Sequence, residues 1–138
     1  MTARLNPYIG FRTQARDALT FYHGVFGGDL QFMTFGENGA AQDPSQADLI
    51  MHGQINNPNG FTIMASDTPM TMDLSDNSNI TVSLSGDEEA LLTSYWDGLS
   101  QGATIIEPLV KAPWGDTFGM LIDRFGTRWM VNIGASQS

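Results

Sequence analysis

The sequence predicts an α+β protein made of two βαβββ modules, with curved, mostly antiparallel sheets and helices on their outer faces. Three observations lead there. The chain closes on a strand pair, in which β-favouring residues run from Phe118 to Ile122 and from Trp129 to Ile133 around Asp123-Arg124-Phe125-Gly126. The same design occurs earlier, as Ile50–Ile55 and Phe61–Ser66 around Asn56-Asn57-Pro58-Asn59-Gly60. Residues also match singly. An offset of 74 puts Ala18 on Leu92, Phe21 on Tyr95, Tyr22 on Trp96 and Gly28 on Gly102, while an offset of 66 puts Gly60 on Gly126 and Met64 on Met130. Matches in order mark a duplicated unit.

Each element has its own justification. Leu5–Phe11 is a first strand. Thr13 is placed to cap a helix over about 14–26, where Ala15, Ala18, Leu19, Tyr22, Val25 and Phe26 recur at helical spacing and Gly27-Gly28 ends it. Leu30–Phe35 is a second strand, and Gly36–Ala47, rich in turn formers, is a surface loop. Strands follow at about Asp48–Ile55 and Phe61–Ser66. The irregular stretch 68–78, with Met70 and Met72, reads as a linker between modules at about 1–67 and 79–138. Those two methionines suit adaptable packing or a flap better than a metal site. The cycle then restarts with Asn79–Leu84 as a strand. Ser85-Gly86-Asp87-Glu88 has the spacing of a capping box opening a helix over 87–101, and Ala103–Val110 precedes the closing pair.

Composition narrows the function. At 138 residues the chain is one ordinary domain, and 41% hydrophobic with 15% charged residues is the balance of a folded protein. A net charge of −9 repels phosphate backbones and anionic lipid, which argues against nucleic acid and membrane as partners. There is no cysteine, so disulfides and thiolate chemistry are excluded. The N-terminus lacks the apolar core of a signal peptide, and the expected location is cytoplasmic.

Alternation along the framing strands sorts the faces. Ile9 and Phe11, Ile63 and Ala65, Val82 and Leu84, Trp129, Val131 and Ile133 are all apolar, so that face meets the helices. The opposite parity carries Asn6, Tyr8, Met64, Asn79, Met130 and Asn132. That second face either meets water or lines a polar cavity.

Several motifs together carry a resemblance. They are Pro7-Tyr8-Ile9-Gly10-Phe11, Ala18-Leu19-Thr20-Phe21-Tyr22 running into Phe26-Gly27-Gly28, and Trp114-Gly115 through Asp123-Arg124-Phe125-Gly126 to Trp129-Met130-Val131-Asn132. With two strand–helix–three-strand modules, the chain resembles the vicinal oxygen chelate superfamily of glyoxalase I, extradiol dioxygenases and bleomycin-resistance proteins. Within it, the chain is similar to the small PhnB-like, demethylubiquinone-methyltransferase-like domains. The resemblance implies paired modules enclosing a cavity, and a homodimer. Phe32, Met33, Phe35 and Leu109 are apolar residues available for such an interface. No glycine-rich strand-to-helix loop of the kind a nucleotide-type cofactor needs is found, so no methyl-donor cofactor is expected.

The expected function is binding of a small organic ligand in a metal-free polar cavity lined by Tyr8, Met64, Trp114, Met130, Asn6 and Asn79. The alternative is an isomerase, lyase or dioxygenase using His52 or Asp116, the two nominated acid–base groups. His52 shares a parity with Asp48 and Gln54, and either faces the cavity or is an ordinary hydrogen-bonded histidine. Trp114 beside Asp116 either grips a ligand or forms a surface turn. His23, on the first helix, reads as structural. The metal-dependent relatives take one ligand, typically His or Glu, from the first and last strand of each module. Alignment on the motifs puts Asn6, Asn79, Met64 and Met130 at those positions. Two amides and two thioethers supply no charge to offset dehydration of a divalent ion, so no metal and no other cofactor is expected.

Overall fold

The computed structural model describes residues 5–37, 39, 44–68 and 79–134. It divides into two compact units, 1–76 and 77–138. The expected linker lies outside the described residues apart from Thr68, and so do Met70 and Met72.

The first unit runs β1 (Tyr8–Phe11), α1 (Ala15–Phe26), β2 (Asp29–Thr34), a single 3-10 turn at Pro44–Gln46, β3 (Ile50–Asn56) and β4 (Thr62–Asp67). Its strands lie in the order β1-β4-β3-β2, with β1 parallel to β4 and the other pairs antiparallel. Helix α1 packs on β2, β3 and β4 and buries Ala15, Ala18, Leu19, Tyr22 and Phe26. Phe11, Ile55, Ile63 and Ala65 meet it from the sheet. Gly53 makes this approach possible, because a Cβ there would overlap the Leu19 side chain. Phe32 lies beneath Arg16, whose guanidinium is 5.1 Å from the ring centroid.

The second unit repeats the plan with β5 (Val82–Gly86), α2 (Glu89–Leu99), β6 (Thr104–Lys111), β7 (Thr117–Ile122) and β8 (Arg128–Ile133), ordered β5-β8-β7-β6. Strand β5 is parallel to β8, and the rest of the sheet is antiparallel. Helix α2 buries Leu92, Tyr95, Trp96 and Leu99 against β5 and β8. Gly119 stands where Gly53 stands in the first unit, and a Cβ there would come 2.8 Å from the Trp96 ring. The edge strand β6 is exposed along most of its length, slips register twice against β7 and carries Pro108 within the second slip, between Glu107 and Val110. The α+β, two-module expectation therefore holds, as two four-stranded mixed sheets with one helix each.

Both expected helix caps are corrected. The residue before α1 is Gln14, without a side-chain cap, and Thr13 is exposed. The helix is capped from across the sheet by Asp67 at the end of β4. Its Oδ1 accepts from Ala15 N at 2.9 Å, and its Oδ2 accepts from Ile50 N at 2.9 Å. The capping box fails because Ser85 and Gly86 still belong to β5, paired with Asn132 and Ile133. Helix α2 starts only at Glu89 and has no side-chain cap. The position 66 residues beyond Asp67 is Ile133, which has no acceptor to offer.

The closing turns repeat in atomic detail. Asn57 N donates to Phe61 O at 3.0 Å and Gly60 N to Asn57 O at 3.0 Å. At the matching positions, Asp123 N donates to Thr127 O at 2.8 Å and Gly126 N to Asp123 O at 3.0 Å. Gly60 and Gly126 sit at φ 97° and 91°, a region that strongly favours glycine. The side chains of Asn57 and Asp123 are turned inward. Asn57 Oδ1 accepts from Asn59 N at 2.8 Å, and its Nδ2 donates to Phe26 O, the last carbonyl of α1, at 2.8 Å. Asp123 is 4% exposed and accepts from Phe125 N at 2.8 Å, Thr127 N at 3.0 Å and the buried Trp129 Nε1 at 2.9 Å. Asp123→Ala leaves those donors unpaired, each costing roughly 1–3 kcal/mol where buried. Urea unfolding is expected to show a loss of about 3 kcal/mol for this variant, and a loss below about 1 kcal/mol would contradict the role given to the carboxylate.

Candidate functional site

In each unit one sheet face carries the helix and the other carries none of its own unit's helices. The candidate residues divide between those helix-free faces, with Tyr8, His52 and Met64 in the first unit and Trp114, Asp116 and Met130 in the second.

On the first face the ladder sets Tyr8 and Gln54 on either side of Met64, with Met33 opposite His52. A run of hydrogen bonds crosses three strands. The Tyr8 hydroxyl lies 3.3 Å from His52 Nδ1, and His52 Nε2 lies 3.1 Å from Gln54 Oε1. Gln54 Nε2 donates to Asn56 Oδ1 at 2.9 Å, and the Thr62 hydroxyl donates to the same oxygen at 3.3 Å. The Tyr8 and His52 rings are also in contact, with centroids 5.6 Å apart. His52 is half-buried, while Tyr8 is 54% exposed. The imidazole is therefore held at both nitrogens, and the phenol is the more exposed of the two rings. Gln54, Asn56 and Thr62 were not nominated from sequence as members of a network. The signal was the polar alternation His52, Gln54, Asn56 along one strand. Asp48 is not part of it, because a register shift beside Met33 breaks the alternation and leaves Ile50 buried instead.

On the second face Met130 pairs with Ser83 on one side and Met120 on the other. Asn132 Nδ2 donates to Asp116 Oδ2 at 3.2 Å, which ties the carboxylate to the same strand. Asp116 belongs to the turn between β6 and β7, closed by Ala112 N donating to Asp116 O at 2.7 Å. Trp114, 66% exposed, meets Phe118 edge-on at 6.2 Å between centroids. Phe118 pairs with Asn132, so the aromatic pair and the carboxylate share this face. His23 is pinned to the end of its own helix, with Nε2 2.9 Å from Gly28 O.

The two asparagine positions need correction. Asn6 precedes β1, and Asn79 is an exposed residue before β5. The ladder puts Tyr8 opposite Met64 and Ser83 opposite Met130, so Ser83 is the counterpart of Tyr8, and Asn6 corresponds to Thr81 rather than Asn79.

The donor set can be tested against the metal that the resemblance in sequence implies. The cross-strand pairs are a phenol with a thioether and a hydroxyl with a thioether, neither of which offers the imidazole or carboxylate that Zn²⁺, Ni²⁺ or Fe²⁺ takes. Among the described residues no three His, Cys, Asp or Glu side chains gather where they could hold an ion. The residues do not fit the group. Elemental analysis of protein purified without chelator or affinity tag is expected to find far less than one Zn, Ni, Fe or Mn per chain, and a near-stoichiometric content would refute this.

Comparison with known proteins agrees with the fold. The family described as 3-demethylubiquinone-9 3-methyltransferase matches residues 3–132. Protein YjdN of Escherichia coli K12 is 27% identical over 96% of this chain and 97% of its own length. The structure of protein PA1353 from Pseudomonas aeruginosa is 31% identical, covers 98% of this chain and 100% of that one, and superposes with a TM-score of 0.84. A PhnB protein from Bacillus cereus shares the fold at 18% identity over 96% of this chain and 100% of that one, with a TM-score of 0.73. The repeated βαβββ unit, the two glycine-spaced helix contacts and these matches together make the chain a member of the family described as 3-demethylubiquinone-9 3-methyltransferase.

Proposed function

We propose that the protein holds a small organic molecule on the helix-free sheet face of its first unit through hydrogen bonds and soft apolar contact, with no metal taking part. The observation that carries this reading is the Tyr8–His52–Gln54–Asn56 strip beside Met33 and Met64. A few oriented polar groups set among adaptable apolar side chains are what a small-molecule site needs. The second unit's face has a flat contact and a charge of its own in the Trp114–Phe118 pair next to Asp116. Family membership supports the reading at the level of the fold.

A second reading, an isomerase, lyase or dioxygenase of the same superfamily, is favoured by one contact. Tyr8 against His52 is a phenol–imidazole pair within proton-transfer reach, and Asp116 is the other candidate acid or base. The homodimer belongs to the proposal too. It draws on Met33, Ile105, Ile106 and Val110, all large apolar side chains left exposed.

Thermal-shift screening of small metabolites and aromatic antibiotics, with and without divalent metal, tests the binding reading. A true ligand at a hundred times its Kd stabilises by about 2.7 kcal/mol, which raises Tm by roughly 10 °C in a protein of this size. That rise is expected without metal and is expected to fall by more than half in Tyr8→Ala. Shifts that require added metal would refute it, while His52→Ala retaining affinity but losing turnover would move the case to the enzyme. Light scattering at micromolar concentration is expected to give twice the 15.0 kDa chain mass, and a value near 15.0 kDa removes the homodimer.

A further inference from the structure

The strip across the first sheet has a direction, and the direction has chemical content. Asn56 Oδ1 receives two donors, Gln54 Nε2 and the Thr62 hydroxyl. With its amide nitrogen committed to Asn56, Gln54 presents its Oε1 to His52. An amide oxygen only accepts, so His52 Nε2 must carry a proton. In a neutral imidazole the other nitrogen is then a bare lone pair, so Nδ1 accepts from the Tyr8 hydroxyl. The far end of the strip favours the same sense. Asp29 stands opposite Asn56 in the ladder, and a carboxylate across the strand pair favours the orientation that turns the Asn56 N–H side to it and the oxygen to Gln54 and Thr62.

We infer that Gln54 and Asn56 are positioning residues that hold His52 as its Nε2–H tautomer, so that the Tyr8 hydroxyl proton is turned inward to Nδ1 and its oxygen faces outward as an acceptor. This rests on the proposal that the first face takes the ligand, and it names the chemistry of that ligand. The molecule offers a hydroxyl or N–H donor to the Tyr8 oxygen and an apolar body to Met33 and Met64. Tyr8 is the exposed end of the strip, and at 3.3 Å its bond to His52 is longer than the two that follow. It is the link a ligand meets first.

The protein contains only two histidines, His23 and His52, so the imidazole ¹⁵N signals are readily assigned by their loss in His52→Gln. Above the range in which imidazoles titrate, wild-type His52 is expected to show a protonated Nε2 and a lone-pair Nδ1. Tyr8→Phe should shift the Nδ1 signal and spare Nε2. Gln54→Met and Asn56→Ala should speed exchange of the Nε2 proton with water on the order of tenfold, the equivalent of about one hydrogen bond. A protonated Nδ1 means the strip runs the other way and overturns the inference. So does an Nε2 proton indifferent to Gln54→Met and Asn56→Ala. For the ligand class, phenol and anisole are the probes, equal in ring and unequal in donor. Phenol is expected to move the Tyr8 and His52 signals at concentrations about tenfold lower than anisole does, with the gap lost in Tyr8→Phe. Equal potency refutes the donor preference. No response to either probe alongside the expected tautomer refutes the binding reading alone.

Discussion

Each unit depends on the inward-turned side chain at its closing turn. Asn57 and Asp123 hold the first residues of the turn, and with Gly60 and Gly126 they fix how many residues separate one strand from the next. In a sheet with one buried face, a slip of a single residue exchanges every inward side chain for an outward one. The turn therefore decides that Ile63 and Ala65, or Trp129 and Val131, face the helix while Met64 and Met130 face away. The two units then use their spare bonding differently. Asn57 spends its amide hydrogen on the end of α1, whereas Asp123 takes the indole N–H of a tryptophan that is wholly buried.

The helix contact is the second shared constraint. Gly53 and Gly119 occupy one position of the repeat, and each leaves space that a neighbouring Leu19 or Trp96 fills. Where the units differ is at the helix start. The first helix is anchored by a buried carboxylate from the last strand, and the second has a hydrophobic residue at the matching position. A helix whose first amides meet only local groups frays more readily, so the second unit's helix begins from the weaker foothold.

Much of this was legible in the sequence because repetition and alternation are local signals. The helices, the hairpins, the glycine turns and the division into apolar and polar faces could all be read from spacing. What was misread came from distance. Asp67 caps a helix 52 residues away, and Thr13 and Ser85 had the right chemistry in the right place by local rules alone. The motif alignment pairs Asn79 with Asn6, but the ladder aligns Ser83 with Tyr8, since strand pairing and motif alignment need not share one offset. The candidate site was half visible. His52 and Tyr8 stood out singly, yet their contact requires β1 and β3 to flank β4, and that order is not written in any short stretch.

The outer strand of the second sheet deserves a different description from the rest. It carries Ile105, Ile106 and Val110 in the open on the outer edge of its sheet, the kind of apolar edge that invites pairing with copies of itself. Its two register slips, its proline and its charged Glu107 and Lys111 all work against that outcome. A straight ladder cannot grow from a strand that changes step twice in eight residues. The irregularity thus separates two properties that usually travel together, leaving exposed apolar side chains on a backbone unsuited to amyloid growth.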